Sequence, residues 1–144
     1  MRTLHNIDLK NNESGFTLRW QDRLILSHTP AEPCLWIGAG EADIEMFRGN
    51  FSIKDKLNEK IALTDATVTQ QRAGWAIRFT RGDAVSATLL VGVDAEGRLE
   101  LKLKNDAPGH NRIWLRLAAK PEDHIYGCGE QFSYFDLRGK PFPL

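Results

Sequence analysis

The chain has 144 residues, with 19 basic and 19 acidic side chains balancing to zero net charge, and 42% hydrophobic residues. That length supplies one domain with one core, because a chain of this size buries roughly two-thirds of its unfolded surface. The balanced charge, without any lysine or arginine cluster, argues against a nucleic-acid partner, and no run of about 18 apolar residues suggests a membrane span.

The opening MRTLHNIDLKNNE lacks the apolar centre of a signal peptide. A cytoplasmic protein is therefore expected, with Cys34 and Cys128 as reduced thiols. Neither cysteine belongs to a C-x-x-C pair, so no zinc site and no cofactor are expected. Cys128 would need an activating base to act as a nucleophile. His124 lies four residues upstream, but spacing across a glycine turn fixes no geometry, and no catalytic role is assigned to the pair.

From the amino terminus the dominant signal is alternation of apolar and polar residues, the period of a half-buried strand. After the polar turn Asn11–Gly15, the residues Phe16, Leu18 and Trp20 share one parity. Beyond Gln21-Asp22, the run Arg23–His28 is expected to place Leu24 and Leu26 on one face. Two prolines in Thr29–Pro33 mark a loop. Leu35 and Ile37 then fall on one side of a short strand, with Trp36 on the other.

Glu41, Asp43 and Glu45 alternate with Ala42, Ile44 and Met46. Three carboxylates on one face could suggest a calcium site, yet strand alternation alone explains the spacing. The favoured expectation is an acidic solvent stripe backed by core on the other side. In Phe51–Leu57 the period fits strand or helix; the β-rich neighbours favour strand, with room for a short helical turn near Asp55–Glu59.

Ile61 and Leu63 begin a strand expected to continue through Val68. Trp75, Ile77 and Phe79 line one face of the next strand, and Arg81-Gly82-Asp83 makes a turn. Val85, Ala87, Leu89, Val91 and Val93 alternate without a break. A tight connection over Asp94–Gly97 leads to Leu99, Leu101 and Leu103, and Asn105–His110 turns the chain into Ile113, Leu115 and Leu117. Short strands joined by Gly, Asp and Asn turns indicate an all-β, antiparallel sandwich or barrel. Trp20 and Trp75 share parity with core aliphatics, whereas Trp36 and Trp114 have the opposite parity and suit packing against another layer.

The closing stretch, His124 to Leu144, reads differently. Gly127 and Gly129 bracket Cys128, Glu130-Gln131 follows directly, and Tyr126, Phe132, Tyr134 and Phe135 crowd around them. Glycine permits positive φ and close backbone approach, so Gly127 and Gly129 form a hinge that could aim Glu130 at a ligand. Glu122-Asp123, after Pro121, reads as a solvated polar turn. On residue types alone, a surface turn with a salt-bridged Glu130 is the favoured explanation of this stretch.

Tyr126-Gly127-Cys128-Gly129-Glu130, with the aromatic run and Asp136-Leu137-Arg138, resembles the Tyr-Gly-x-Gly-Glu signature of glycoside hydrolase family 31. The runs CLWIG (Cys34–Gly38), MFRGNFSIKDKL (Met46–Leu57) and NRIWLRLAA (Asn111–Ala119) are similar to its bacterial sulfoquinovosidase branch. The resemblance covers nearly the full chain. Many members of the family carry a basic residue or histidine after the motif's Glu. Gln131 departs from that pattern and favours the sulfosugar branch over plain α-glucosidases.

The resemblance implies that residues 1–144 are the amino-terminal, galactose-mutarotase-like β-sandwich of a longer enzyme, with strands of the sandwich still to come. The parent would hydrolyse α-glycosides with retention, using two carboxyl groups. In the family these are aspartates of a following (β/α)8 barrel, for which this chain has no pattern. The segment alone would be inactive. Glu130 and Gln131 would line the active-site mouth, or Glu130 would hold the sandwich to the barrel by a buried hydrogen bond. The expected partners are a carbohydrate substrate, the segment's own downstream barrel and, through exposed edges, other copies of the segment. Two other classes stay open: a free-standing carbohydrate-binding module, which needs two exposed coplanar aromatics, and a closed β-barrel carrier with an interior cavity.

Overall fold

A computed structural model describes residues 6–83, 85–126, 136 and 138–139. Ten strands run in chain order: β1 (Ile7–Asn12), β2 (Gly15–Trp20), β3 (Arg23–His28), β4 (Leu35–Phe47), β5 (Asn50–Ala62), β6 (Asp65–Gln71), β7 (Gly74–Arg81), β8 (Val85–Val93), β9 (Leu99–Asn105) and β10 (Arg112–Leu115). They form three sheets, β1-β2-β3, β10-β4-β5 and β6-β7-β8-β9. Every strand pairing is antiparallel, and no helix occurs among the described residues. The fold is an all-β antiparallel sandwich, as expected.

Local chemistry sets the first sheet. Asn12 Oδ1 accepts the Ser14 amide at 2.9 Å, an Asx turn that reverses the chain between β1 and β2. Gly15, at φ +137°, lies so close to β3 that a Cβ would sit 1.9 Å from the His28 carbonyl oxygen. Gln21 and Asp22 take φ of 48° and 64°, the mirror-image turn whose twist matches a two-residue hairpin. Between β2 and β3 the register slips: Leu18 faces Leu26, but Arg19 faces Leu24. Ile25 is thus the extra residue of a β-bulge, and Leu24 lands on the Arg19 side. The expectation that Leu24 and Leu26 share a face is overturned here; Ile25, not Leu24, packs against the core.

The core draws on all three sheets, with Phe16, Leu18, Leu26, Leu35, Ile37, Ile77, Phe79 and Leu89 at its centre. Phe16 and Phe79 meet edge to face with ring centroids 5.8 Å apart, which joins the first sheet to the third. His28 shares this site, 1% exposed. Leu63 and Thr64 interrupt the single strand expected over Ile61–Val68. The Leu63 amide donates to the Leu35 carbonyl at 3.0 Å and its side chain is buried, so the chain changes sheets at that point. By contrast, Ile113 in β10 and Leu117 just beyond it are exposed. Only Leu115 of that trio packs on the core, because β10 is a four-residue edge strand.

The β4–β5 hairpin departs furthest from the sequence expectation. Its inner half belongs to the sandwich and ends at Gly40, whose amide and carbonyl are both bonded by the Asn111 side chain, at 3.0 and 2.9 Å. Beyond that point the ribbon is exposed on both faces. Ile44 is 63% and Met46 76% exposed, so the acidic stripe is not backed by core. Nor is there a helical turn near Asp55–Glu59; β5 continues through it, with Asn58 the extra residue of a bulge. Register explains the charges instead, since Glu41 faces Lys56 and Asp43 faces Lys54. Opposite charges directly across an antiparallel pair support the ribbon.

Candidate functional site

The site is approached along the segment that follows β10. The Arg116 amide donates to the Cys34 carbonyl at 2.8 Å, and the Ala118 amide to the Ile25 carbonyl at 2.8 Å. The bulged residue of β3 therefore supplies the acceptor that guides the chain outward. Asp123 then closes a turn, accepting the Lys120 amide at 2.7 Å and pairing with the Arg23 guanidinium. Those bonds, the Lys120 amide foremost, hold the Asp123 carboxyl below the ordinary carboxylate range. Asp123 is thus half of a structural pair, whereas the sequence suggested a solvated acid.

Next comes a knot around Asp136. Its Oδ2 lies 2.5 Å from His124 Nδ1, while its Oδ1 accepts the amides of Ile125 and Arg138, each at 3.1 Å. The His124 contact first, then the two amides, pushes the Asp136 carboxyl down to about 2. The His124 ring stacks on Tyr126 with centroids 6.2 Å apart and planes 20° from parallel. In the sequence Asp136 entered only within the run that carries the family resemblance, with no role assigned to it. The available signal was an aspartate three residues before Gly139, which takes φ 63°, a spacing typical of side-chain-closed turns.

Glu130, Gln131, Gly127, Gly129 and Cys128 lie outside the described residues. The nearest described residues are Tyr126 on one side and Asp136 on the other. His124 is engaged by Asp136. The other cysteine, Cys34, is buried and unpaired in a disulfide, and burial raises its thiol to about 11. Such a thiol stays protonated and unreactive at neutral pH.

Among the described residues no group of three or more His, Cys, Asp or Glu side chains is placed to hold a metal ion. Parity sorts Trp20 and Trp75 correctly, but side-chain cations rather than another layer stand over Trp36 and Trp114. Trp20 and Trp75 pack against the core, while Trp36 and Trp114 sit opposite each other on β4 and β10. Gly38 makes room for them, since a Cβ there would lie 2.9 Å from the Trp114 ring. Lys60 Nζ stands over both rings, 4.5 Å from Trp114 and 5.6 Å from Trp36, and Arg116 covers Trp36 at 5.8 Å. Cations occupy the ring faces that a sugar platform would need. The sheets are linear in order rather than closed into a ring, which does not suit an interior-cavity carrier.

Residues 7–144 match the glycosyl hydrolase 31 N-terminal galactose mutarotase-like domain. The chain belongs to this family. Among curated proteins, the family member described here is 71% identical over 141 residues to the sulfoquinovosidase of Escherichia coli strain K12, covering 98% of this chain and 21% of that protein. It is 38% identical over 142 residues to the sulfoquinovosidase of Agrobacterium fabrum, covering 94% of this chain and 19% of that protein. A solved GH31 family sulfoquinovosidase from E. rectale, in complex with an aza-sugar inhibitor, superposes with a TM-score of 0.72 at 33% identity, over 92% of this chain and 19% of that one. This galactose mutarotase-like domain thus spans about a fifth of the length of the relatives it matches.

Proposed function

We propose that residues 1–144 are the non-catalytic amino-terminal domain of a retaining α-glycosidase that acts on sulfoquinovosides. The observation that carries this is the 71% identity to a sulfoquinovosidase across 98% of the chain. On this reading the sandwich supports a downstream catalytic barrel, and Glu130 and Gln131 line its active-site mouth on the Gly127–Gly129 hinge. The catalytic carboxylates belong to the barrel, so the segment by itself does not turn over substrate. A reducing, cytoplasmic location belongs to the same proposal and suits the buried free thiol of Cys34.

The test is hydrolysis of aryl α-sulfoquinovoside and aryl α-glucoside by the intact enzyme and by the 144-residue chain. The expected result is turnover of the sulfoquinovoside by the intact enzyme, with a higher kcat/KM than for the glucoside, and none by the chain alone. Preference for the glucoside would overturn the substrate assignment.

Self-association of the isolated chain is a further part of the proposal. The outer β4–β5 ribbon carries Ile44, Met46 and Ile53 exposed on one face, and exposed apolar surface of this kind invites contact. The acidic row Glu41, Asp43 and Glu45 opposes edge-to-edge pairing of two β4 strands, because like charges would meet. Face-to-face stacking is the expected mode. Sedimentation should show concentration-dependent dimers that the Ile44→Lys, Met46→Lys double variant abolishes; a monomer at all concentrations would refute it.

A further inference from the structure

We infer that the outward face of the β10-β4-β5 sheet, from the Trp36–Trp114 pair to the tip of the β4–β5 ribbon, is a docking face for the downstream part of the same polypeptide. The inference rests on the proposed function only for the existence of that downstream part.

Register makes this a single face. Cross-strand partners share a side of the sheet, and every second residue of a strand returns to it. Trp36 faces Trp114 and Gly38 faces Arg112. Along β4 the same side continues through Ala42 and Ile44 to Met46, with Leu57, Asp55 and Ile53 of β5 beside it. Arg112 Nη2 donates to Asp55 Oδ1 at 2.6 Å. With the Asn111 bonds to Gly40, that bond fixes the direction of the ribbon. Its other side is charge-matched, since Glu41 faces Lys56 and Lys54 Nζ lies 3.2 Å from Glu45. That side suits water. The apolar side leaves Ile44, Met46, Ile53 and Leu57 exposed, and a contiguous apolar patch of this kind marks an interaction site.

A second copy of the chain is a poor occupant. The outer ribbon is two strands wide, so its footprint is roughly 25 Å by 10 Å, on the order of 250 Å². A stable complex needs about 800 Å² from each partner, so two copies meeting here associate weakly. Charge argues the same way. Lys60 and Arg116 stand over the tryptophan rings at the base of the face, and neither forms an ion pair among the described residues. The occupant should therefore bring a carboxylate to the base and apolar side chains to the tip. On this face the chain's own acid is Asp55, already taken by Arg112. A downstream segment of the same polypeptide is free of both limits. It comes from the other four-fifths of a protein as long as the relatives, and tethering lets a small contact area suffice.

Met46 reports coverage, because its thioether oxidises to the sulfoxide only where peroxide reaches it. In the dilute 144-residue chain, hydrogen peroxide should oxidise Met46 as a freely exposed methionine, read by peptide mass spectrometry. In the intact enzyme the oxidation should be about tenfold slower or more, by the same factor at every enzyme concentration. Ile53→Lys, across from Ile44, puts an unpaired charge under the docked segment. It should return the Met46 rate of the intact enzyme to within about twofold of the chain's. Ser52→Lys, on the charged side, should leave the protection in place.

Fast oxidation of Met46 in the intact enzyme would overturn the docking face, while turnover of aryl α-sulfoquinovoside by that same enzyme would leave the proposed function standing. Protection that appears only as concentration rises would overturn the assignment to the enzyme's own chain in favour of a second copy. Protection unmoved by Ile53→Lys would overturn this face as its source. An intact enzyme that shields Met46 at every concentration yet hydrolyses no glycoside would support the docking face and refute the proposed function.

Discussion

Phe79→Ala should lower the unfolding free energy by about 3–5 kcal/mol, the usual range for deleting a buried aromatic ring. Phe79 is fully buried, and it is where the sheets lock together. Its ring meets Phe16 of β2 edge to face at 5.8 Å and His28 of β3 at 5.3 Å, while its own strand belongs to the third sheet. Truncation removes the transfer energy of the ring and leaves a cavity whose walls belong to different sheets, so collapse is incomplete. Against a typical total of about 5–15 kcal/mol, that loss is a large fraction. Urea unfolding followed by tryptophan fluorescence measures it, and a loss below about 1 kcal/mol would contradict this account of the core.

The second large effect concerns acid. His28 is 1% exposed and stacks on Phe16 with the ring planes 8° apart. Its Nε2 lies 3.0 Å from the Thr64 carbonyl oxygen, which can only accept, so Nε2 carries the proton. The Cys34 amide donates to Nδ1 at 3.3 Å, which assigns Nδ1 as the bare nitrogen. The ring is therefore neutral, and a second proton would oppose the Cys34 N–H inside an apolar site. Burial, the largest cause, lowers the His28 pKa from its ordinary value.

The sign follows from proton uptake. Below the ordinary histidine value of about 6.5 the unfolded chain binds a proton that the folded chain resists, so stability falls as pH falls through that range. Above it the folded state keeps the full benefit. The urea midpoint should drop between pH 7.5 and 5. His28→Gln should lose about 1–3 kcal/mol at pH 7.5, the cost of imperfectly satisfied buried partners, and should show a flatter profile over the same interval. Equal pH dependence in wild type and variant would refute the assignment to His28.

The sequence already contained the strand pattern, because side chains in a strand alternate and burial of one face leaves that alternation in the chain. Val85 to Val93 is the clearest case: Ala87, Leu89 and Val91 are all buried. Family membership was legible too, since Tyr126-Gly127-Cys128-Gly129-Glu130 and the run from Asn111 to Ala119 carried the resemblance that the family match over residues 7–144 establishes. The candidate site was less legible. Asp136 gathers His124, Ile125 and Arg138, and a carboxylate's choice of partners a dozen residues away leaves no periodic mark.

Alternation reports parity, not which parity is covered. Ile44 and Met46 have the spacing of core residues and stand in solvent, because coverage depends on whether another sheet reaches that far along β4. The Ile25 bulge shifts one residue and reverses Leu24, and its freed carbonyl then takes Ala118. His28, at the end of β3, belongs to the core because Thr64 and Cys34 supply its hydrogen bonds. Residue types and their spacing determined that this chain makes antiparallel strands of one family. Only tertiary packing decided which faces are dry, because burial is a relation between segments distant along the chain.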